Sequence, residues 1–260
     1  MQAVGGSKGI KVKNYFRNLS KIEFVLTQAC TGRCKHCSEG DHSANGDRID
    51  PAIAANAVRS LASKYGIKTV MVFGGEPLLH IEAVERVMKV ALELGIPHRQ
   101  IITNGFFTKS ERRIAEVVRS LAECGVNDLL LSADAFHQQT IPLDTVKAFA
   151  REAVKNNIPI RLQPAWLVSR EDTNEYNEQT RKVLASFSEM NIPISLGNVI
   201  FPEGNALKYL GDYFKEGAPK NPYEEDPFDV HCISVSPNGD VLSGNVYKND
   251  ILDIMENYQP

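Results

Sequence analysis

The sequence lacks any apolar run that approaches the roughly 20 residues needed to span a bilayer, and residues 1–13 lack the apolar core of a signal peptide. The net charge of −3 gives no basis for bulk binding to nucleic acid or membranes. Only 5 cysteines are present, and their clustering favours metal ligation in a reducing compartment over a disulfide framework. We therefore expect a cytoplasmic protein with no membrane partner and no bulk nucleic-acid binding.

The chain has 260 residues, 43% of them hydrophobic and 23% charged, which suits one large α/β domain with a small appendage. Short apolar runs alternate with amphipathic segments from Lys21 onward. The predicted strands span residues 22–27, 69–73, 99–103, 128–133, 159–166 and 193–200. The predicted helices span residues 51–65, 81–94, 110–123, 143–155 and 174–190. With right-handed crossovers, this alternation predicts a barrel-like parallel sheet.

We expect four regions along the chain. Residues 1–20 form a leader and residues 21–200 form the barrel. Residues 201–229 are rich in proline and acidic groups, which indicates a connection with a short helix near 206–214. Residues 230–260 hold Asn238-Gly239 between alternating runs, a signal for a two-residue β-hairpin, and then a helix over 251–258. The chain stops at Pro260 without a helix terminator, so a truncated C-terminus is an open alternative.

A group of three cysteines, Cys30, Cys34 and Cys37, follows the first predicted strand. Thiolates suit iron–sulfur clusters or zinc, and three of them would leave one iron of a four-iron cluster open to another molecule. Ligands bind at the carboxyl ends of strands in parallel α/β proteins, where this loop is expected. Structural zinc would need a fourth ligand, for which His36, His42 or Cys232 is available.

A second motif, Gly74-Gly75-Glu76-Pro77, follows the second predicted strand. The glycines fit either a tight turn or a close approach of the main chain to a ligand. Under the second interpretation, a branched side chain at residue 75 would obstruct the ligand and leave the thiols untouched.

The two motifs together resemble the radical S-adenosylmethionine (SAM) superfamily. The resemblance implies a partial six-stranded (β/α) barrel, a [4Fe-4S] cluster held by Cys30, Cys34 and Cys37, and SAM bound at its open iron. His36 stands where that family often has an aromatic residue. By the same resemblance, Gly74, Gly75 and Glu76 would contact the amino group of the methionine moiety of SAM.

Polar residues at the ends of later strands complete the candidate site. Ser132 and Asp134 point the same way after the fourth strand; the resemblance implies that Ser132 contacts ribose, whereas Asp134 could also cap the next helix. We expect Asp134 and His137 on the substrate side. Asn104 suits either an Asx turn or the cofactor. Arg161 needs a carboxylate partner, either from SAM or from the protein.

The C-terminal hairpin resembles the start of the cysteine-rich SPASM or twitch extensions of peptide-modifying members of that superfamily. Those extensions hold auxiliary clusters, but beyond the first three cysteines this chain has only Cys124 and Cys232. A second four-iron centre needs more thiolates than that. We therefore expect one cluster per chain, with Cys232 packed as an ordinary hairpin residue.

The resemblance implies an enzyme in which reductive cleavage of SAM yields a 5′-deoxyadenosyl radical that takes hydrogen from a substrate. It also implies an electron donor such as flavodoxin or ferredoxin. The degenerate hairpin favours a peptide or protein substrate, and a small-molecule or nucleotide-derived substrate is the alternative. A protein of another class, a non-catalytic metal-binding module, is the remaining hypothesis.

Overall fold

The computed structural model describes residues 14–42, 46–214 and 218–260. Most of the leader predicted for residues 1–20 lies outside these ranges. Its last residues do not form a detached segment, because Phe16 and Leu19 are 5% and 4% exposed and pack in the main core. Among the described helices, none combines the length and the apolarity that crossing a membrane requires.

The ten strands assigned in these ranges form one large sheet and two small ones. In chain order they are β1 Lys21–Val25, β2 Thr69–Phe73, β3 His98–Thr103, β4 Asp128–Ser132, β5 Ile160–Gln163, β6 Ala165–Trp166, β7 Asn198–Val199, β8 Cys232–Val235, β9 Asp240–Val241 and β10 Gly244–Asn245. The large sheet is six-stranded and parallel, in the order β5-β4-β3-β2-β1-β8. An α/β fold of the partial-barrel type, as predicted, is therefore present.

The helices pack around this sheet. They are α1 Pro51–Lys64, α2 Ile81–Glu93, α3 Glu111–Glu123, α4 Ala135–Gln138, α5 Leu143–Lys155, α6 Glu175–Ala185, α7 Gly204–Leu210 and α8 Ile251–Glu256. Local sequence explains several boundaries. Asp50 accepts hydrogen bonds from the N–H groups of Ala52 and Ile53 ahead of α1, and Ser110 accepts one from Arg113 ahead of α3. The side chains between helices and sheet form one large apolar core, with Phe24 and Phe149 fully buried.

The sixth strand of the large sheet is not the one predicted. Within residues 193–200, only β7 is regular; it pairs with β6, and one bridge joins Ile194 to Leu162. The last place in the sheet is taken by β8, which pairs in parallel with the free edge of β1. This pairing buries Ile233 and Val235 to 1% and 0% exposure, which a separate hairpin could not do.

The two runs around Asn238-Gly239 do not form the predicted ladder. The N–H of Ser236 donates to the carbonyl of Asp240, but among the described strands β9 pairs antiparallel with β10 and not with β8. A turn forms at the predicted place, since the N–H of Gly239 donates to the carbonyl of Ser236. The residues therefore predicted the turn correctly, but they did not predict which strand would pair with β9.

Candidate active site at the carboxyl ends of the strands

A cavity of about 240 Å³ lies where the loops after β1 to β5 meet. Parallel strands bring these loops to one edge of the sheet, which is where ligands bind in such folds. The wall of the cavity combines thiols, glycines, histidines, amides and aromatic rings. The lining residues are Cys30, Gly32, Cys34, His36, Cys37, Ser38, Glu39, His42, Phe73, Gly74, Gly75, Ile102, Thr103, Asn104, Ser132, Asp134, His137, Gln163, Pro164, Ala165, Asn198, Val199, Ile200, Phe201 and Tyr223.

All three clustered cysteines face this cavity. Burial raises the pKa of the Cys30 thiol to about 11 and also raises the pKa of Cys34 and Cys37 above the ordinary thiol value. A metal ion counteracts this effect because it binds the deprotonated thiolate. The cavity therefore holds three thiols that stay protonated without a metal and that a soft metal centre would ionise.

Gly74 and Gly75 are required by the packing of the cysteine loop. Gly74 has φ +138°, and a Cβ on it would lie 2.6 Å from the carbonyl oxygen of Thr27. A Cβ on Gly75 would lie 2.2 Å from the carbonyl oxygen of Ala29 and 3.1 Å from Cβ of Cys30. The expectation that a side chain at residue 75 would leave the thiols untouched is therefore wrong, because the first obstacle is the loop that carries Cys30.

Glu76 is fully buried and does not line the cavity. Its carboxylate accepts hydrogen bonds from the N–H groups of Leu78 (3.0 Å) and Asn104 (2.8 Å) and from the hydroxyl of Thr103 (2.6 Å). Burial raises its pKa to about 7, and these three donors act in the opposite direction. The structure thus places this side chain behind the wall, where it joins the loop after β2 to the loop after β3. The contact of residue 76 with the amino group of SAM stays a prediction.

Asn104 makes the Asx turn that the sequence allowed, and it also contacts the cysteine loop. Its Oδ1 accepts from the N–H of Phe106 at 2.8 Å, which makes an Asx turn. Its Nδ2 lies 3.3 Å from the hydroxyl of Thr31 and 3.7 Å from Sγ of Cys30, and the residue lines the cavity. Asn104 therefore contacts the cysteine loop directly.

Ser132, Asp134 and His137 come together on the cavity wall after β4. Asp134 caps α4, because its Oδ1 accepts from the N–H groups of Phe136 and His137, and its Oδ2 lies 2.8 Å from Nδ1 of His137. Burial opposes the charge on Asp134, but His137 outweighs it and lowers the Asp134 pKa to about 2. Burial likewise opposes charge on His137, and Asp134 raises the His137 pKa. The pair is a fixed carboxylate–imidazole unit.

His36 sits between the cysteines and this pair. Its ring centroid lies 4.9 Å from that of Phe136 and 4.8 Å from that of His137, and its Nδ1 is buried without a hydrogen-bond partner among the described residues. Burial lowers its pKa to about 4. His36 is therefore a neutral ring that packs against its neighbours, as an aromatic residue would.

Arg161 lies outside the cavity. It is the second residue of β5, at the amino end of the strand, and it donates to Asp128 of β4 at 2.8 Å. The protein carboxylate, and not SAM, is thus the partner that the structure supplies.

The zinc alternative does not find its fourth ligand in Cys232. That residue begins β8 opposite Lys21, at the amino end of β1, whereas the cysteine loop follows the carboxyl end. His42 does approach the cluster of thiols, with Nε2 3.2 Å from Sγ of Cys37 and Nδ1 2.9 Å from the carbonyl oxygen of Gln28.

Two groups of residues around the site were not predicted from the sequence. One is Gln163, Asn198 and Tyr223, which line the same cavity as the three thiols. The other is Gly204-Asn205 at the start of α7, which packs on the cysteine loop from outside. Strand ends could have indicated Gln163, whereas the short helix predicted near 206–214 gives no sign that the residue before it contacts the cysteine loop.

Comparison with known proteins agrees with this geometry. The Radical SAM superfamily profile matches residues 24–206. A probable GTP 3′,8-cyclase of Saccharolobus solfataricus is 27% identical over 221 residues, 79% of this chain and 68% of the relative. The GTP 3′,8-cyclase of Clostridium perfringens is 24% identical over 207 residues, 76% of this chain and 60% of the relative.

Solved structures share the fold. Streptococcus suis SuiB bound to S-adenosylmethionine superposes with a TM-score of 0.61 at 16% identity, over 92% of this chain and 65% of SuiB. The peptide complex titled native anSMEcpe with bound AdoMet and Cp18Cys peptide gives a TM-score of 0.59 at 14% identity, over 92% of this chain and 80% of that one.

The residues present suit the cofactors of this family. Three thiols face one cavity, and the described residues bring no fourth cysteine to it, which is the donor set of a cluster with an open iron. The family profile spans both the cysteine loop and the glycine motif. The chain belongs to the radical SAM superfamily and is an enzyme of the kind that uses a [4Fe-4S] cluster and S-adenosylmethionine.

Proposed function

We propose that this enzyme abstracts a hydrogen atom from a peptide or protein substrate. When bound, the cluster and SAM together supply a 5′-deoxyadenosyl radical, after one electron has come from a donor of the flavodoxin or ferredoxin kind. The observation that carries the substrate class is the composition of the cavity wall, where amides and aromatic rings stand without a cationic side chain among the described residues.

Different parts of the cavity wall would bind the cluster, SAM and the substrate. Cys30, Cys34 and Cys37 would hold three irons, and the main chain at Gly74-Gly75 would form the adjoining floor for SAM. Ser132, 7% exposed, would bind ribose with its hydroxyl. His137, held by Asp134 through Nδ1, would present its Nε2 to the substrate.

Charge argues against a phosphorylated substrate. Among the described residues, the cavity wall includes Glu39 and Asp134 but no lysine or arginine. A triphosphate needs arginine, lysine or metal partners to balance its charge. A peptide segment is matched better, because Gln163 and Asn198 can donate to and accept from its amides.

A strand edge beside the cavity would receive the rest of the peptide. Asn198 and Ile200 donate their N–H groups to the carbonyls of Pro164 and Trp166, so Val199 between them directs its main chain the other way. In the described part of the chain β7 pairs with β6 alone, and Ile194 and Leu196 nearby are 49% and 76% exposed. An extended peptide could pair with this edge and reach the cavity that Val199 lines.

The test uses deuterium transfer. Reconstituted, reduced enzyme with SAM is given either a digest of fully deuterated protein or ribose-deuterated GTP, and 5′-deoxyadenosine is analysed by mass spectrometry. We expect deuterium from the digest only. Val199→Pro, which removes one outward N–H from an edge strand that tolerates proline, should lower this transfer by a larger factor than it lowers SAM cleavage without substrate.

A nucleotide substrate is the second candidate, and one observation favours it: the curated relatives above are named for GTP cyclisation and match 76% to 79% of this chain. Deuterium acquired from GTP and not from the digest would establish this candidate and contradict the peptide proposal.

A further inference from the structure

The cysteine loop is fastened from outside the cavity by one residue of α7. Asn205 is 6% exposed, and its main-chain N–H donates to the carbonyl of Cys37 at 2.8 Å. Its side-chain Nδ2 lies 3.1 Å from the carbonyl oxygen of Gly40 and 3.4 Å from that of Cys34. A single asparagine therefore contacts three carbonyls of the loop, which belong to Cys34, Cys37 and Gly40 and are spaced three residues apart.

These three carbonyls are the turning points of the loop. The N–H of Cys37 donates to the carbonyl of Cys34, and the N–H of Gly40 donates to the carbonyl of Cys37, both at 3.3 Å. Each turn depends on one long hydrogen bond, and long bonds are weak. Asn205 adds a short main-chain bond at the carbonyl of Cys37, and its Nδ2 bridges the carbonyls of Cys34 and Gly40 on either side. The side chain therefore acts as a bridge across the two turns and not as one strong bond.

The approach of α7 is as close as a main chain allows. Gly204 has φ +51°, and a Cβ on it would lie 2.2 Å from the carbonyl oxygen of Ser38. Ala206 and Leu210 on the next turns are 0% and 1% exposed and pack in an apolar cluster with Phe136. The helix is thus fixed to the barrel independently of the loop, and Asn205 transmits that rigidity to the cysteines.

We infer that Asn205 is a positioning residue for the iron–sulfur cluster, holding the main chain of two of its three cysteine ligands. Without its side-chain donors the thiols keep their number but lose a fixed separation, and the metal centre exchanges iron more readily. The inference relies on the assignment of Cys30, Cys34 and Cys37 as ligands and is independent of the substrate class.

A merely structural role for residue 205 makes the opposite prediction. Alanine has the highest helix propensity, and aspartate is favoured in the first turn of a helix. Asn205→Ala and Asn205→Asp would then lower the melting temperature through the lost hydrogen bonds and leave the rate of iron release unchanged. If the side chain fastens the loop, aspartate is the worse of the two, because a carboxylate would face the carbonyl oxygens of Cys34 and Gly40.

The experiment measures iron release from anaerobically reconstituted protein to an excess of ferrozine, without SAM or substrate, together with the melting temperature. Asn177 provides the matched control, since it is 0% exposed and also donates from its amide to loop carbonyls, those of Leu167, Ser169 and Asp172. We expect iron release to be about tenfold faster in Asn205→Ala, equivalent to about 1.4 kcal/mol, and faster still in Asn205→Asp. Asn177→Ala should lower the melting temperature without this acceleration.

Equal release rates in the wild type and Asn205→Ala would overturn the inference, as would an equal acceleration in Asn177→Ala at a matched loss of melting temperature. The electron paramagnetic resonance spectrum of the reduced cluster gives a second readout, which should broaden in Asn205→Ala and not in Asn177→Ala. Failure of the ligand assignment is distinguishable, because Cys34→Ala would then retain its iron.

Discussion

The two ends of the sheet use polar residues in different ways. At the carboxyl end, the carboxylates of Glu76 and Asp134 are 0% exposed and hold the N–H groups of the surrounding loops. At the amino end, the side chains of Glu23 and Asp128 are 15% and 23% exposed and pair with Lys21 and Arg161. The carboxylates at the first end bind main-chain N–H groups around a cavity, whereas those at the second end are partly exposed and pair with cationic side chains.

The largest expected difference between the ends concerns their thiols. Cys34→Ala, at the carboxyl end, should abolish formation of 5′-deoxyadenosine from SAM, because one iron loses its ligand. Cys232→Ser, at the amino end, should retain about four irons per chain. Iron analysis and chromatography of the products test both variants. Unchanged product from Cys34→Ala, or about eight irons that fall by half in Cys232→Ser, would contradict this contrast.

A second contrast concerns glycines. Gly75→Val should lower both iron content and SAM cleavage and destabilise the fold by about 1–3 kcal/mol, because its side chain would overlap the carbonyl of Ala29 beside Cys30. Gly66 has nothing within 4 Å of an added Cβ, so Gly66→Val is the control and should retain iron. Normal iron with weaker SAM binding in Gly75→Val would show that the glycine faces the ligand after all.

A third contrast is one of pH. The Asp134 pKa is lowered from 3.8 to about 2 in the folded protein, so its contribution is complete above pH 3.8 and is lost as the pH falls through about 2. Asp134→Asn should cost about 2 kcal/mol at pH 6, and this difference from the wild type should shrink on acidification. Urea unfolding at pH 6, 4 and 3 measures it. A difference independent of pH would mean that the cap, not the charge, is what asparagine loses.

The smallest effect is expected at Arg161. Its ion pair with Asp128 is partly exposed, so Arg161→Met should change stability by no more than about 1 kcal/mol. SAM cleavage should be unchanged, since the residue lies outside the cavity. A double-mutant cycle with Asp128→Asn isolates the pair. If Arg161→Met binds SAM about tenfold more weakly than the wild type, the alternative that Arg161 contacts the carboxylate of SAM would be supported instead.

Local patterns predicted most of the fold. The strand at 69–73 and the helix at 143–155 coincide with β2 and α5, because each is a continuous apolar pattern with its own boundary residues. The pairing of β8 with β1 was not predicted. An alternating pattern indicates that one face of a strand is buried, but it does not indicate which neighbouring strand the segment pairs with. For the same reason residues 193–200 were predicted to join the large sheet, whereas β7 pairs with β6 in a small one.

Residues of the candidate site were predictable where a reactive side chain stands at the end of a recognisable strand, because the strand end also gives its location. The cysteines, Ser132 and His137 follow strand ends and meet at the cavity. Arg161 was misplaced although its position early in β5 already indicated the other end of the sheet. Asn205 could not be found, because a side chain that binds main-chain carbonyls requires no particular residues at the sites that it contacts.

The fastening of the cysteine loop also sets an order in time. Asn205 follows Cys34 by 171 residues. At a synthesis rate of about 5–20 residues per second, roughly 10 to 30 s separate the appearance of the two on the ribosome. During this interval the nascent chain already has its three thiols and soon gains Gly74-Gly75, but the turns of the loop have only their own long hydrogen bonds and lack those from Asn205. The part of the site that is made first is thus the part that is completed last.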